Sequence, residues 1–239
     1  MDNSEKNRLD RIAESYLTRG FNVKLVYYGF ISLKPFFKQG NCLELGCAEG
    51  VMTEYLVNYF ESVVAVDGSD RFCELTRNNI KSKNLLVICS LFEDFKPKKR
   101  FNTIMMAHIL EHVENPLALL KKVRNWITDD GVILIIVPNA DSINRQVGVK
   151  MGLLKKVNEL NNFDKEIGHR RVYNWDLLKE HIRQANLRLK KMWGNFYKPL
   201  SNAQIHEWFT EDMIEAFYEL GKDYPQYCTE ILAVCGNSE

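Results

Sequence analysis

Three small residues that alternate along the chain form a turn in which a ligand can approach the backbone. Gly46, Ala48 and Gly50 are preceded by an acid, Glu44. Glycine has no side chain, so such a turn leaves backbone N–H groups within reach of a ligand. The spacing differs from the Gly-x-Gly-x-x-Gly pattern of dinucleotide sites, and glycine-rich turns also serve plain strand–helix packing.

An acid follows the turn at a distance of about 20 residues. Asp67 ends the β-branched run 62–66 and is followed by Gly68. In a doubly wound sheet the carboxyl end of the second strand lies beside the first glycine-rich turn. A carboxylate there can accept hydrogen bonds from both hydroxyls of a ribose, although an aspartate at a strand end also forms simple turns. We predict that Asp67 and Gly68 belong to a ligand site.

Two histidines are candidate catalytic bases. His108 is expected at the carboxyl end of the fourth strand, and His169 where a long insert returns to the sheet. A histidine of near-neutral pKa can accept a proton from a nucleophile. His108-Ile-Leu-Glu-His112 also has the His-x-x-Glu-His pattern of some metalloproteases. That zinc site needs both histidines on one helix, whereas this segment spans a strand end and a loop.

The elements that position these residues alternate in type. Apolar, strand-like runs are separated by amphipathic helical segments, which indicates a mostly parallel sheet. The run 132–138 is apolar throughout, so we expect a central strand buried on both faces. The predicted strands are 42–45, 62–67, 85–89, 101–108, 132–138, 187–194 and 230–235, and the predicted helix caps are Asp70, Asn115 (before Pro116), Asn174 and Thr210.

Together these motifs resemble a known family. Residues 44–50 resemble motif I of class I S-adenosylmethionine (AdoMet) methyltransferases, with alanine at the middle glycine position. The segments HILEHVENP (108–116) and DDGVILIIVPN (129–139) resemble the subfamily of ubiquinone-biosynthesis O-methyltransferases and many sugar and natural-product methyltransferases. The resemblance covers residues 40–140 and 170–236. It implies an α/β fold, a Rossmann-like seven-stranded methyltransferase sheet, mostly parallel with the last strand antiparallel, and helical lid inserts.

The resemblance also implies a set of AdoMet contacts. The motif I turn would hold the cofactor, Asp67 and Gly68 its ribose, and the segment after the third strand its adenine. The end of the fourth strand would border the methionine part. The implied cofactor residues are Glu44, Gly46, Cys47, Ala48, Gly50, Asp67, Gly68, Phe92, Glu93 and Ala107, with His108 beside the methionine end.

A divalent metal ion is a further implication of the resemblance. Ubiquinone-pathway relatives carry an acid in place of His108, followed by the same Glu-His pair, and bind a divalent ion there. The ligands in this chain would be His108, Glu111 and His112. An imidazole in place of a carboxylate shifts the preference from Mg²⁺ toward transition metals. Capping and packing of the loop is the alternative explanation for Glu111 and His112.

The chain is expected to form a single methyltransferase domain over residues 1–239. Its parts are an N-terminal helical arm (1–40), an AdoMet-binding core (41–138), a lid insert (139–171), and the C-terminal half of the sheet with a helical insert (172–239). The lid insert contains seven lysines and arginines against four acids. This excess favours an anionic acceptor, and Arg170, Arg171 and Tyr173 are the predicted substrate-binding residues.

Composition excludes several classes of partner. A net charge of +1 gives no sign of nucleic-acid binding, and no apolar run is long enough for a membrane span. The N-terminus lacks a signal-peptide core, and the six cysteines form no CxxC pair. We therefore expect a cytoplasmic protein with reduced thiols and a small-molecule substrate. The sequence does not indicate an oligomeric state.

These observations favour an AdoMet-dependent methyltransferase. The predicted reaction is O-methylation of a small polar or anionic metabolite, such as a sugar or a phosphorylated or nucleotide-linked precursor of surface-polysaccharide biosynthesis. N-methylation of a small molecule is the alternative reaction. A non-catalytic AdoMet-binding module, a nicotinamide-dependent oxidoreductase and a metal hydrolase at residues 108–112 are the rival functions.

Overall fold

The computed structural model describes residues 3–15 and 18–237. The predicted N-terminal arm therefore includes four residues (1, 2, 16 and 17) that lie outside the described part of the chain. None of the helices formed by the described residues has the length and apolar content that crossing a bilayer requires.

Seven strands form one sheet in the order β3-β2-β1-β4-β5-β7-β6. The strands are β1 (Asn41–Leu45), β2 (Ser62–Asp67), β3 (Leu85–Cys89), β4 (Phe101–Ala107), β5 (Ile127–Pro138), β6 (Leu187–Asn195) and β7 (Glu230–Asn237). β7 runs antiparallel to both of its neighbours, β5 and β6, and the other pairings are parallel. The predicted fold class, mostly parallel with the last strand antiparallel, is confirmed.

Ten α-helices connect and cover the strands of the described chain. They are α1 (Asn3–Ser15), α2 (Phe21–Leu33), α3 (Val51–Val57), α4 (Asp70–Asn79), α5 (Pro116–Arg124), α6 (Ile143–Lys150), α7 (Asn162–Glu166), α8 (Trp175–Gln184), α9 (Asn202–Trp208) and α10 (Glu211–Asp223). Short 3₁₀ turns lie at Lys34–Phe36 and Pro225–Tyr227.

The caps show how local chemistry fixes where these helices begin. Asn115, Asn174 and Thr210 accept hydrogen bonds from backbone amides of the first turns of α5, α8 and α10, as predicted. The predicted cap Asp70 is wrong, because the side chain of Ser69 accepts the hydrogen bond from the Phe72 amide. Asp70 is instead the first residue of α4, where its charge complements the helix dipole.

The sheet has an apolar core on each face. One core joins the sheet to α5 and α8, and the other joins it to α2 and α3. β5 is an interior strand of the sheet, between β4 and β7, and its residues 131–137 are buried without interruption, as its continuous apolar sequence predicts. The strand begins earlier than predicted, at Ile127, because its pairing with β4 continues past a register shift between Phe101 and Thr103. Because β1 pairs in parallel with both β2 and β4, the carboxyl ends of these three strands lie at the same edge of the sheet.

Candidate active site

The turn between β1 and α3 has three residues in left-handed backbone conformations. Gly46, Ala48 and Gly50 have φ angles of 78°, 45° and 97°. A Cβ on Gly46 would lie 2.2 Å from Cδ1 of Ile109, so a side chain there would require Ile109 to move as well as a strained backbone. The amide of Gly46 donates to the carbonyl of Val66, which ties the turn to the end of β2. The alternation of small residues thus has a conformational cause.

Asp67 lies directly beside this turn, because β1 and β2 are adjacent parallel strands. Its Oδ2 accepts from the Ala48 amide at 3.2 Å, and its Oδ1 accepts from the Ser69 amide at 2.9 Å. Burial raises its pKa to about 6, although these backbone amides favour the carboxylate. The turn therefore holds a buried carboxylate, only 8% exposed, at the edge of a cavity.

This cavity, of about 650 Å³, brings most of the predicted cofactor residues together. It is lined by Gly46, Cys47, Ala48, Asp67, Gly68, Phe92, Glu93 and Ala107, and by His108 at the predicted methionine end. Gly50 does not line it and instead begins α3 as its N-cap residue. These residues follow the carboxyl ends of β1, β2 and β4 or lie in the segment after β3. The cavity is large enough for a nucleoside with a second small molecule beside it.

Glu44 lies beneath the turn and does not line the cavity. It is 1% exposed, and Thr53 Oγ1 on α3 donates to its Oε2 at 2.6 Å. Burial raises its pKa to about 8, and the bond from Thr53 offsets only part of this effect. The structure therefore places Glu44 in a strand–helix contact that supports the turn.

Helix α1 supplies cavity residues that the motifs did not identify. Glu5, Arg8, Leu9 and Ile12 line the cavity from the side opposite the sheet. Ser69 Oγ donates to Asp10 at 2.6 Å, which anchors the helix beside Asp67. The available signal was the apolar face of this helix, but the same face is expected for ordinary packing against a sheet.

His108 is held between two buried carboxylates. Its Nδ1 lies 3.1 Å from Glu111 Oε1 and its Nε2 lies 2.9 Å from Glu230 Oε1. Burial acts to lower the pKa of His108, but the bonds to Glu111 and Glu230 outweigh it and raise the pKa to about 10. A histidine that is protonated at neutral pH with both nitrogens engaged is poorly suited to accept a proton. Its two contacts instead suit His108 to orient Glu230, which also lines the cavity.

The metal ligands predicted from the sequence are regrouped in the structure. The side chains that converge are Glu111, His112 and His169, whose potential ligand atoms all lie within 4.8 Å of one another. The predicted ligand His108 is not in this group, and its two ring nitrogens contact the carboxylates of Glu111 and Glu230. Burial lowers the pKa of His112 to about 4, so its imidazole is neutral at physiological pH. His169, predicted as a base, does not line the cavity. Its ring lies beside that of His112, with 4.7 Å between the ring centroids.

The three predicted substrate-binding residues have different environments. Arg170 lines the cavity, and its guanidinium donates to the His112 carbonyl at 2.9 Å and to Glu5 at 3.0 Å. Arg171 instead donates to the backbone carbonyls of Leu110, Val113 and Glu114. Tyr173 is fully buried, with its hydroxyl 3.0 Å from His181 Nδ1. Arg171 and Tyr173 thus hold the loop and the core together, which corrects their predicted role.

The positive charge of the lid insert does not face the cavity. Of its seven lysines and arginines, only Arg170 is among the described cavity residues. Arg145 is buried and binds Asp164 Oδ2 at 3.1 Å, while Lys150, Lys155, Lys156 and Lys165 are exposed. The cavity itself is lined by seven acids, namely Glu5, Glu49, Asp67, Glu93, Asp94, Glu114 and Glu230. The charge count of the insert therefore did not describe the site.

Known proteins share this architecture. A family model described as "Methyltransferase domain" matches residues 25–191. A ubiquinone biosynthesis O-methyltransferase of Actinobacillus pleuropneumoniae serotype 7 (strain AP76) is 23% identical over 175 residues, which cover 66% of this chain and 70% of the relative.

Two solved structures illustrate the likeness of fold. A methyltransferase in complex with the Haloferax volcanii Trm112 methyltransferase activator matches with a TM-score of 0.70 at 14% identity, over 97% of this chain and 98% of its own. The N-methyltransferase NodS from Bradyrhizobium japonicum WM9, in complex with S-adenosylhomocysteine, matches with a TM-score of 0.61 at 14% identity, over 98% of each chain. Because the family model spans well over half of the sequence, the chain belongs to the methyltransferase domain family and is an AdoMet-dependent methyltransferase.

Proposed function

We propose that this enzyme transfers the methyl group of AdoMet to a hydroxyl oxygen of a small polar metabolite. The observation that carries the proposal is the placement of Asp67 beside the turn 46–50, at the same cavity as His108 and Glu230. The turn and Asp67 would hold the nucleoside and the methionine part, and Phe92 and Glu93 would border the adenine. The acceptor would occupy the part of the cavity near Glu230 and His112.

Charge favours an uncharged acceptor over the anionic one expected from the sequence. AdoMet carries a sulfonium and an ammonium group against one carboxylate, so the acids around the cavity suit the cofactor. Two arginines line the cavity among the described residues, and both Arg8 and Arg170 already bind Glu5. A phosphate would have to compete with Glu5 for these guanidinium groups. A sugar hydroxyl without a phosphate meets no such cost.

Glu230 is the proposed proton acceptor. The hydroxyl oxygen attacks the methyl carbon, the carbon–sulfur bond breaks with its electron pair going to sulfur, and the hydroxyl proton passes to the Glu230 carboxylate. His108 and Asn195 each bind one oxygen of this carboxylate, at 2.9 Å and 2.7 Å, and so fix its orientation. Each oxygen retains a lone pair for the acceptor. Since the methyl group is already activated, positioning of the acceptor supplies most of the catalysis.

The test combines cofactor binding with matched acceptors. Wild type, Asp67→Ala and Glu230→Gln are titrated calorimetrically with S-adenosylhomocysteine, and labelled methyl transfer is measured to pairs of sugars with and without a phosphate. We expect Glu230→Gln to bind S-adenosylhomocysteine with the affinity of the wild type and to lose most of kcat. We also expect the unphosphorylated sugars to be the better acceptors. Transfer to phosphorylated sugars alone would overturn the acceptor assignment, and normal kcat in Glu230→Gln would remove the proposed base.

N-methylation is the second candidate, and the acidic cavity lining favours it. Seven acids could also hold a protonated amine, and one similar structure is that of an N-methyltransferase. An amino sugar paired with its hydroxyl counterpart distinguishes the two reactions. Transfer to the amino sugar that is lost when its amine is blocked by acetylation would establish N-methylation.

A further inference from the structure

One buried carboxylate oxygen beside the cavity has no partner among the described residues. Glu111 is fully buried, and its Oε1 binds His108 while its Oε2 makes no hydrogen bond. Leaving such an oxygen unpaired in the interior is costly, because it loses its water without gaining a replacement. His112 and His169 lie beside the Glu111 carboxylate, and one potential ligand atom from each of the three side chains lies within 4.8 Å of the other two. This environment suits a cation.

The backbone fixes His169 at this position from the far side of the lid. Its amide donates to the Asp164 carbonyl and the amide of the next residue, Arg170, donates to the Glu111 carbonyl, both at 2.8 Å. Gly168, at φ +83°, packs so closely that a Cβ would lie 2.5 Å from Cδ1 of Ile12. The ring is 6% exposed, and its Nδ1 makes no hydrogen bond although Asp164 Oδ1 lies 3.4 Å away. The backbone therefore places the imidazole, and the contact with Asp164 is the one polar interaction described for its Nδ1.

We propose that Glu111, His112 and His169 form a binding site for a transition-metal ion such as Zn²⁺, Fe²⁺ or Co²⁺. Two imidazoles and one carboxylate are the donors of catalytic zinc sites and of non-haem iron sites, which leave coordination positions open. Mg²⁺ and Ca²⁺ favour oxygen ligands and are poorly served by this set. The site differs from the one that the sequence motif implies, since His169 takes the place of His108.

Of the three proposed ligands, His112 lines the cavity, whereas Glu111 and His169 are not among its lining residues. An ion held by these side chains would therefore be adjacent to the cavity, where an oxygen of a bound small molecule would reach it. The ion would also tie the lid, which carries His169, to the loop after β4. Metal binding itself does not depend on the acceptor or on the proposed base.

Metal content gives a test that is independent of methyl transfer. The full chain is stripped with a chelator, dialysed against Zn²⁺, Co²⁺ or Mg²⁺ separately, and analysed for bound metal by mass spectrometry. We expect about one Zn²⁺ or Co²⁺ per wild-type chain, a visible cobalt absorption band, and no retained Mg²⁺. His169→Ala should lose the bound ion, whereas His108→Ala and the exposed His206→Ala should keep it. Calorimetric binding of S-adenosylhomocysteine by each variant verifies that it is folded.

The outcomes separate this site from its alternatives. Absence of stoichiometric zinc and cobalt in a wild type that binds S-adenosylhomocysteine overturns the proposal. Loss of metal in His108→Ala with retention in His169→Ala overturns it in favour of the set implied by the motif. If His169→Ala does not fold, wild-type protein is treated with diethyl pyrocarbonate with and without Zn²⁺. Protection of His112 and His169, but not His206, supports the site, and equal modification of all three contradicts it.

Discussion

The cofactor side and the histidine side of the cavity differ in how closely the structure follows the sequence motifs. On the cofactor side, residues 46–68, the turn and Asp67 contact each other as the motif implies. On the histidine side, residues 108–173, the side chains have other partners than the motif implies. His108 contacts Glu230, and the ring of His112 packs against that of His169. The first side is built from two adjacent parallel strands, and the second needs segments far apart in the chain.

A sequence motif therefore predicts a site best where the backbone itself forms that site. The conformation of the turn depends on residues within the turn, and the neighbouring strand follows from the topology of the sheet. Side-chain ligands depend on which distant segment packs beside them. His169 of the lid lies beside Glu111 and His112, and Arg171 of the lid donates to backbone carbonyls of the loop after β4. Neither contact has a local sequence signature.

The strongest test of the cofactor side is removal of its carboxylate. Asp67→Ala should weaken S-adenosylhomocysteine binding by about 100-fold or more, because two hydrogen bonds from ribose hydroxyls to a charged group are lost. Asp70→Ala is the matched control. Asp70 is exposed and its ion pair with Lys6 lies at the surface, so this variant should bind S-adenosylhomocysteine almost as tightly as the wild type. Calorimetric titration measures both. Equal affinities for the two variants would show that Asp67 does not hold the ribose.

A smaller effect is expected at Glu44, the motif acid that does not line the cavity. Its folded-state pKa of about 8 exceeds the ordinary 4.5, so the folded protein keeps a proton that the unfolded chain releases. The stability contributed by this proton is fully present below about pH 4.5 and is lost as pH rises toward about 8. Relative to Glu44→Gln, the free energy of unfolding of the wild type should fall by on the order of 2 kcal/mol between about pH 5 and about pH 7.

Chemical denaturation over this pH range measures the difference. Glu54→Gln on the exposed face of α3 serves as the control and should show no such trend. Glu44→Gln should bind S-adenosylhomocysteine within a few-fold of the wild type. A stability difference that does not change with pH would show that folding does not raise the pKa of Glu44. A large loss of affinity would place Glu44 in direct contact with the cofactor.

On the histidine side, the two consecutive arginines should behave differently. Arg171→Ala should lower the free energy of unfolding by about 1–3 kcal/mol, because three loop carbonyls lose a charged donor. Arg170→Ala removes a half-exposed pair with Glu5 and should cost less stability, yet raise the KM for the acceptor. Thermal unfolding and steady-state kinetics together distinguish the roles. The reverse pattern would restore Arg171 as the substrate ligand.

The smallest predicted effect concerns the pH dependence of cofactor binding. The pKa of Asp67 is about 6, and its ionised form is the better acceptor for ribose hydroxyls. Affinity for S-adenosylhomocysteine should therefore decrease as pH falls, by roughly fourfold between about pH 7 and about pH 5.5. In Asp67→Asn this dependence should be absent, although overall binding is weaker. A wild type that parallels Asp67→Asn over this range would assign the titration to another group.

Much of the fold was predictable because local chemistry and topology agree. The continuous apolar run 132–138 predicted a strand buried on both faces, and Asn115 before Pro116 predicted the start of α5. Predictions that relied on charge alone did worse. The excess of lysine and arginine in the lid suggested an anionic acceptor, but most of these side chains point elsewhere. The number of charged residues in a segment does not indicate which way their side chains point.

The sheet, the turn and the place of Asp67 could be predicted from the amino-acid sequence, since they depend on backbone conformation and on the order of neighbouring strands. The burial of Glu44 under the turn and the contacts of His108 with two carboxylates became visible only in the folded protein. The same is true of His169 from the lid, which joins Glu111 and His112. The physical reason is that side-chain partners are set by packing between distant segments, which neither the periodicity nor the spacing of a motif specifies.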